Sequence, residues 1–383
     1  MTRDVIIVGG GVIGCSIALR LARAGLQVTV IERGQTGCEA SRAAAGMLSP
    51  QAEAAEPGPF LDLCLRSRAL YPEFARLLED LSGVDIEYRD EGTLCVALAG
   101  EDPNEIARWA SWQKSAALPL EDLTAGNLAA LEPAVTKLAA RAVYIPGDHQ
   151  VENRRLLDAL DTAIRRAGVE VVEGAEVNHL IVEGDKTTGV VCNGVPVKAG
   201  AVIVAAGSWS SRLLEPVGLR VRVIPARGQM LAVRGPATPI RHVLHASHVY
   251  LVPRNDGRIV IGATVEYVGF NKAITAGGIR GLLNAAIELV PSLADSEIIE
   301  TWAGFRPDTE DHLPVIGPCA VANLFLATGH FRNGILLAPV TAEIILQSVI
   351  EQKVADELRP FSINRFDEKP IAGSIQSAIS SPF

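Results

Sequence analysis

Three glycines, Gly9, Gly11 and Gly14, follow directly on the apolar run Val5-Ile6-Ile7-Val8, and Glu32 stands eighteen residues beyond the last of them. A run apolar at every position suits a strand covered on both faces. Gly9 permits a tight turn, Gly11 lets the backbone approach a pyrophosphate, and Gly14 lets the next helix pack closely on the strand. That helix, opened by Val12 and Ile13, is predicted from Ile13, Ile17, Leu21 and Ala24, which share one face. Arg20 and Arg23 suit its carbonyl end and Gly25 stops it. Gln27 to Ile31 reads as a second strand, which completes a βαβ unit and implies a parallel sheet. Free amides at the helix start attract phosphates. Glu32 suits ribose hydroxyls and repels a 2′-phosphate. Strand, glycines, helix and acid in this order favour a dinucleotide site over an unrelated glycine-rich turn.

A chain of 383 residues is long for one core and suggests two domains. With 48% hydrophobic and 21% charged residues it is neither disordered nor fibrous. The net charge of -9 argues against a nucleic-acid partner, which needs a basic face. No apolar run is long enough for a membrane-spanning helix. The run at Val5–Val8 is too short for a signal peptide. Cysteines at 15, 38, 64, 95, 192 and 319 form no C-x-x-C pair and read as reduced thiols of a cytoplasmic protein.

Further along, residues 153–167 carry a helical pattern ended by Gly168, with strands expected at Val169–Val172, near Val177 and at Val202–Val204. Residues 86–98, 221–233, 249–253 and 258–263 alternate or are rich in β-branched types, which suggests an antiparallel sheet. Phe325–Thr328 reads as a last strand, with a helix from near Gly334. The expectation is an α/β chain, α+β overall. Segments 1–85, 141–218 and 302–366 form a Rossmann-like nucleotide domain, 86–140 and 219–301 an inserted antiparallel-sheet domain, and 367–383 a polar tail.

The glycine motif alone does not separate NAD from FAD. Other segments do, by resemblance. Ser41-Arg42-Ala43-Ala44-Ala45-Gly46-Met47-Leu48, Ala205-Ala206-Gly207-Ser208-Trp209 and Ala327-Thr328-Gly329-His330-Phe331-Arg332-Asn333-Gly334-Ile335 resemble, in this order, segments of the D-amino-acid oxidase superfamily. With Tyr250-Leu251-Val252-Pro253-Arg254 and Trp302-Ala303-Gly304-Phe305-Arg306-Pro307, the chain is similar to the glycine oxidase family of the thiamine pathway, from Val5 to about Phe366. The resemblance implies FAD held by Gly9, Gly11, Val12, Ile13, Gly14, Glu32, Arg33, Ser41, Ala44, Ala45, Gly46, Met47, Val177, Ala206, Gly207, Trp209, Gly304, Arg306, His330, Arg332, Asn333, Gly334 and Ile335. It implies noncovalent FAD, because the cysteine motif by which sarcosine oxidases attach flavin is absent. It also implies oxidation of a small amino acid by hydride transfer to flavin, O2 as the final acceptor, a thiazole synthase as partner, and a homo-oligomer, such as a homotetramer.

By the same resemblance Arg306 holds the substrate carboxylate, with Tyr250, Arg332 and Met47 around it. A guanidinium fork matches a carboxylate at any relevant pH. The alternatives are an ion pair of Arg306 with Asp308 or Glu310, a structural pair for Arg332, a half-buried sheet tyrosine at 250, and Met47 as core filler. Where some relatives carry a methionine after Gly262-Ala263-Thr264, this chain has Val265, which leaves the preferred amine open. His242, His245 and His248 have a spacing that suits zinc on a helix, but a strand is expected there and no acid or thiol stands near in sequence, so no metal is expected and a pocket-side or surface role is left to them. Rival readings are a D-amino-acid dehydrogenase with another acceptor, a flavin-dependent tRNA-modifying protein, and a noncatalytic flavin module.

Overall fold

The computed structural model describes residues 3–98, 102–351 and 356–366; the tail expected at 367–383 lies outside them. The strand Arg3–Val8 runs through the middle of the first sheet, parallel to Val28–Ile31 on one side and Val195–Val204 on the other. Glu170–Val172 and Leu324–Thr328 extend the sheet in parallel, and Val315–Pro318 closes one edge antiparallel. Val5 and Ile7 join a core with the helices Val12–Arg23, Pro59–Ser82, Asn153–Arg166 and Ala338–Glu351. Ile6 and Val8 bury on the opposite side with Val190, Val202 and Leu214. Alternate side chains of a strand face opposite ways, so two covered faces require the continuous apolar run.

The second sheet runs, in spatial order, Ile298–Asp308, Ile224–Arg234, Arg258–Gly262, Val249–Pro253, Val243–Ala246, Thr93–Leu98, Ala139–Ile145 and Glu121–Leu123. Its pairings are antiparallel except that Val243–Ala246 lies parallel to Thr93–Leu98. The helix Ala276–Leu289 buries Leu282, Ala286 and Leu289 against it. Thr275 starts that helix by accepting from the Gly278 amide at 3.1 Å.

Three sequence expectations shift. Residues 86–92 are no part of the strand: Glu87 and Gly92 have φ of 52° and 89°, off the extended path, and the strand begins at Thr93. The last helix runs from Ala338, not Gly334, after a 3-10 turn over Phe331–Asn333. Pro339 has no N–H to donate into a preceding turn and so belongs in a first turn. Residues 141–145 and 302–308, grouped from sequence with the nucleotide segments, hydrogen-bond in the second sheet. The eleven-residue strand Ile298–Asp308 stays paired with Ile224–Arg234 from end to end and brings Gly304 against Ala43 of the helix Ala40–Ala43.

Candidate active site

A cavity of about 580 Å³ is lined by residues from both sheets and begins at the carboxyl end of the central strand. At one end lies the glycine turn. Gly9 has φ +109°, and a Cβ there would stand 2.4 Å from the Ala205 carbonyl oxygen. A Cβ on Gly14 would stand 2.0 Å from the Gly9 oxygen; Gly14 packs helix on turn and does not line the cavity. The Glu32 carboxylate accepts from the amides of Gly10 at 2.8 Å and Gly34 at 2.9 Å, so it braces the turn as well as facing the cavity. The Val12 amide donates to Ser41 Oγ at 3.0 Å. The Arg33 guanidinium lies 3.6 Å over the Trp209 ring, and Val177, Ala206 and Gly207 line the wall nearby. A turn that admits no Cβ, a helix start and an acid facing the cavity fit an adenine dinucleotide.

The middle of the cavity is bounded by Ala44, Ala45, Gly46 and Met47. Their backbone is pinned from behind. Asn153 Nδ2 donates to the carbonyls of Ser41 and Arg42, each at 3.0 Å, and buried Arg254 donates to that of Ala45 at 2.7 Å. A Cβ on Gly304 would meet the Ala43 Cβ at 2.4 Å, so the strand passes close beneath the segment. His330, Arg332, Gly334 and Ile335 line the cavity; Asn333 does not, and its side chain lies beside Glu53. The Tyr71 hydroxyl donates to the Ile335 carbonyl and Ser67 Oγ to that of Leu336 at 2.6 Å, which fixes this loop before the last helix. His330 Nε2 meets Thr341 Oγ1 at 3.1 Å, and burial pulls the His330 pKa down to about 3.

At the far end are Met47, Tyr250, Arg306 and Arg332. Arg306 Nη1 donates to the Thr264 carbonyl at 2.9 Å. Burial lowers its pKa, and the adjacent Tyr250 hydroxyl offsets part of that. Arg306 forms no ion pair among the described residues: Asp308 is taken by the Tyr267 hydroxyl at 2.6 Å and by His312 Nδ1 at 2.7 Å. Burial raises the Tyr250 pKa, so the phenol stays protonated and can donate. A Cβ on Gly262 would stand 2.4 Å from the Tyr250 hydroxyl, so that glycine makes room for it.

One group escaped the sequence reading, and one left there with a pocket-side or surface role turns out to line the cavity. Glu53, on a turn after Met47, lines the same end, and its Oε2 is buried with no hydrogen-bond partner among the described residues. Burial raises its pKa, while Arg332 and Arg306 pull the other way. No motif flags a lone glutamate in an irregular turn. His245 also lines the cavity, stacked on Tyr250 with centroids 6.4 Å apart, and burial pushes its pKa down to about 4, so it is neutral near pH 7. The three histidines separate: His242 points instead to Glu132, its Nδ1 2.8 Å from Oε2, and His248 sits on the turn Ser247–His248. The acid missing in sequence is thus supplied by the fold. No group of three or more His, Cys, Asp or Glu among the described residues could hold a metal. Among them, no helix is long and apolar enough to cross a membrane.

A dinucleotide cleft at a first sheet, with a cation and a phenol brought in from a second, defines the class of dinucleotide-dependent oxidoreductases. The chain belongs to the FAD dependent oxidoreductase family, whose model matches residues 4–348, and it binds FAD. It is 38% identical over 366 residues to the glycine oxidase of Geobacillus kaustophilus, covering 94% of this chain and 97% of that protein. The crystal structure of glycine oxidase from Geobacillus kaustophilus superposes with a TM-score of 0.91 at 37% identity, covering 95% of this chain and 99% of that one. The bifunctional protein ThiO/ThiG of Trichormus variabilis is 40% identical over 373 residues, 96% of this chain; the match spans 56% of that longer protein, so the chain corresponds to about half of it.

Proposed function

We propose that the protein oxidises glycine, sarcosine or a small D-amino acid to the imine, with FAD as hydride acceptor and O2 as the final oxidant. The observation that carries this is the placement of Arg306 and Tyr250 in the same cavity as the nucleotide turn. Arg306 and Tyr250 hold the substrate carboxylate; a charged fork and a phenol fix its direction. Glu53 offers its orphaned oxygen to the substrate nitrogen. His245, kept neutral by burial, adds no charge that would repel the amine. The nitrogen is unprotonated when its lone pair forms the C=N bond and the hydride leaves Cα. Bound FAD supplies the two-electron acceptor. Water hydrolyses the imine to an oxo acid and ammonia, and O2 is reduced to hydrogen peroxide.

FAD is held noncovalently in this reading: Cys319 does not line the cavity and its thiol lies 3.6 Å from the Val321 carbonyl. Fusion of a matching segment to a second one in the Trichormus protein supports a thiazole synthase as the consumer of the imine. We place the chain in the cytoplasm as a homo-oligomer, which light scattering on a sizing column tests. The function is tested on purified protein: the expected result is a yellow protein that releases its flavin on denaturation and forms peroxide with glycine or sarcosine. Turnover of L-amino acids alone would overturn the assignment.

A further inference from the structure

Glu53 sits on a turn with no regular element to hold it, yet that turn is clamped by buried polar groups on both sides. Before Glu53, the amides of Gln51 and Ala52 donate to the two oxygens of Asp148 at 3.3 and 2.7 Å. After it, the Ala54 carbonyl accepts from Trp109 Nε1 at 2.9 Å. The Asp148 side chain is fully buried and pairs with Arg68 Nη1 at 3.2 Å. The same nitrogen donates to Gln51 Oε1 at 3.1 Å, and Gln113 Nε2 donates to the Gln51 carbonyl at 2.9 Å. A Cβ on Gly147 would stand 2.8 Å from Arg68 Nη1, so the loop bearing Asp148 also makes room for the guanidinium.

A buried ion pair is poor value as a source of stability, because desolvation offsets much of its attraction; holding one geometry is a better use for it. The turn it holds buries Ala52 but no large apolar side chain, and the residue it presents is Glu53. We propose that Asp148 is a positioning residue for catalysis, which clamps the 49–54 turn so that Glu53 meets the substrate nitrogen. Asp148 touches neither substrate nor cofactor: it does not line the cavity. The inference rests on the reading of Glu53 as acceptor for that nitrogen.

The test is a double-mutant cycle in the holoenzyme. Asp148→Asn keeps the side chain's size and one acceptor; Glu53→Gln removes the charge at the site. For D148N alone, kcat/KM for glycine falls about tenfold or more while FAD affinity, from flavin fluorescence, moves less than about twofold. In the E53Q background D148N costs less than about twofold, because what it positions is already disabled. If D148N will not fold, Trp109→Phe removes the clamp on Ala54 without touching a charge, and the same non-additivity is expected. A full D148N or W109F penalty on top of E53Q, or a loss confined to FAD affinity, overturns the inference alone. An E53Q enzyme with unaltered kcat/KM overturns the reading of Glu53, and the inference with it.

Discussion

Gly228 lies so close to Arg306 that a Cβ on it would stand 2.5 Å from the guanidinium Nη1. The two occupy neighbouring strands, with Ala226 paired to Arg306 and Gly228 to Gly304. The guanidinium is therefore folded across a position where the paired strand has no side chain. Its aim depends on a glycine that belongs to no nucleotide motif.

Gly228→Ala should displace the guanidinium without touching the nucleotide turn. The expected result is a loss of about 10- to 100-fold in kcat/KM for glycine, carried mainly by KM. Flavin content should match the parent. Steady-state kinetics with a flavin absorbance ratio checks both, and an unaltered KM would show that Arg306 does not take the carboxylate.

Arg306→Lys tests the same contact by chemistry instead of space. Lysine keeps the charge but loses the planar fork and the bond to the Thr264 carbonyl at 2.9 Å. A loss of about 2–5 kcal/mol of transition-state stabilisation is expected, the usual range for disrupting a buried hydrogen-bonded charge. Benzoate-type carboxylate inhibitors should weaken in parallel, read from their perturbation of the flavin spectrum.

At the nucleotide end, Gly9→Ala combines a φ of +109° with a Cβ 2.4 Å from backbone oxygen, and neither can relax cheaply. The variant should purify colourless or lose its flavin on dialysis. Gly25→Ala is the control: its φ of +91° is also left-handed, but nothing lies within 4 Å of the added Cβ. A G25A protein should cost about 1 kcal/mol in stability and stay yellow.

The parts of this molecule that sequence disclosed are those with a repeating physical signature. Val5–Val8 is apolar at each position because both faces are covered, and Gly9, Gly11 and Glu32 stand at separations fixed by the turn between strand and helix. Arg306 was legible through the segment around it. Glu53 was not, because its place depends on Asp148, ninety-five residues away in the chain, and on Trp109 from a third segment. The His242–Glu132 pair was hidden for the same reason: a contact between residues 110 apart leaves no local pattern. The strand expected from residue 86 failed because β-propensity gives no warning of the left-handed backbone at Glu87.

His330 should cost the folded state stability in mild acid. Burial holds its folded pKa at about 3 against an ordinary value of 6.5. Between those values the unfolded chain binds a proton that the folded chain refuses, so stability drops as pH falls through that window. His245, depressed to about 4, acts in the same direction. Asp148 opposes them: its folded pKa is raised by burial from 3.8 to about 7, so it favours the folded state as pH falls across that range and loses this contribution as pH rises through about 7. Glu53, also raised by burial, opposes them as well, so the share of His330 is isolated by replacing it. His330→Asn keeps a polar group opposite Thr341, whose Oγ1 lies 3.1 Å from the imidazole, but has no proton to take up. Urea midpoints of parent and variant should therefore converge as pH is lowered from about 7.5 to 4.5, by an amount on the order of 1–3 kcal/mol. Parallel curves over that range would mean that His330 is protonated in the folded protein as readily as in the unfolded one.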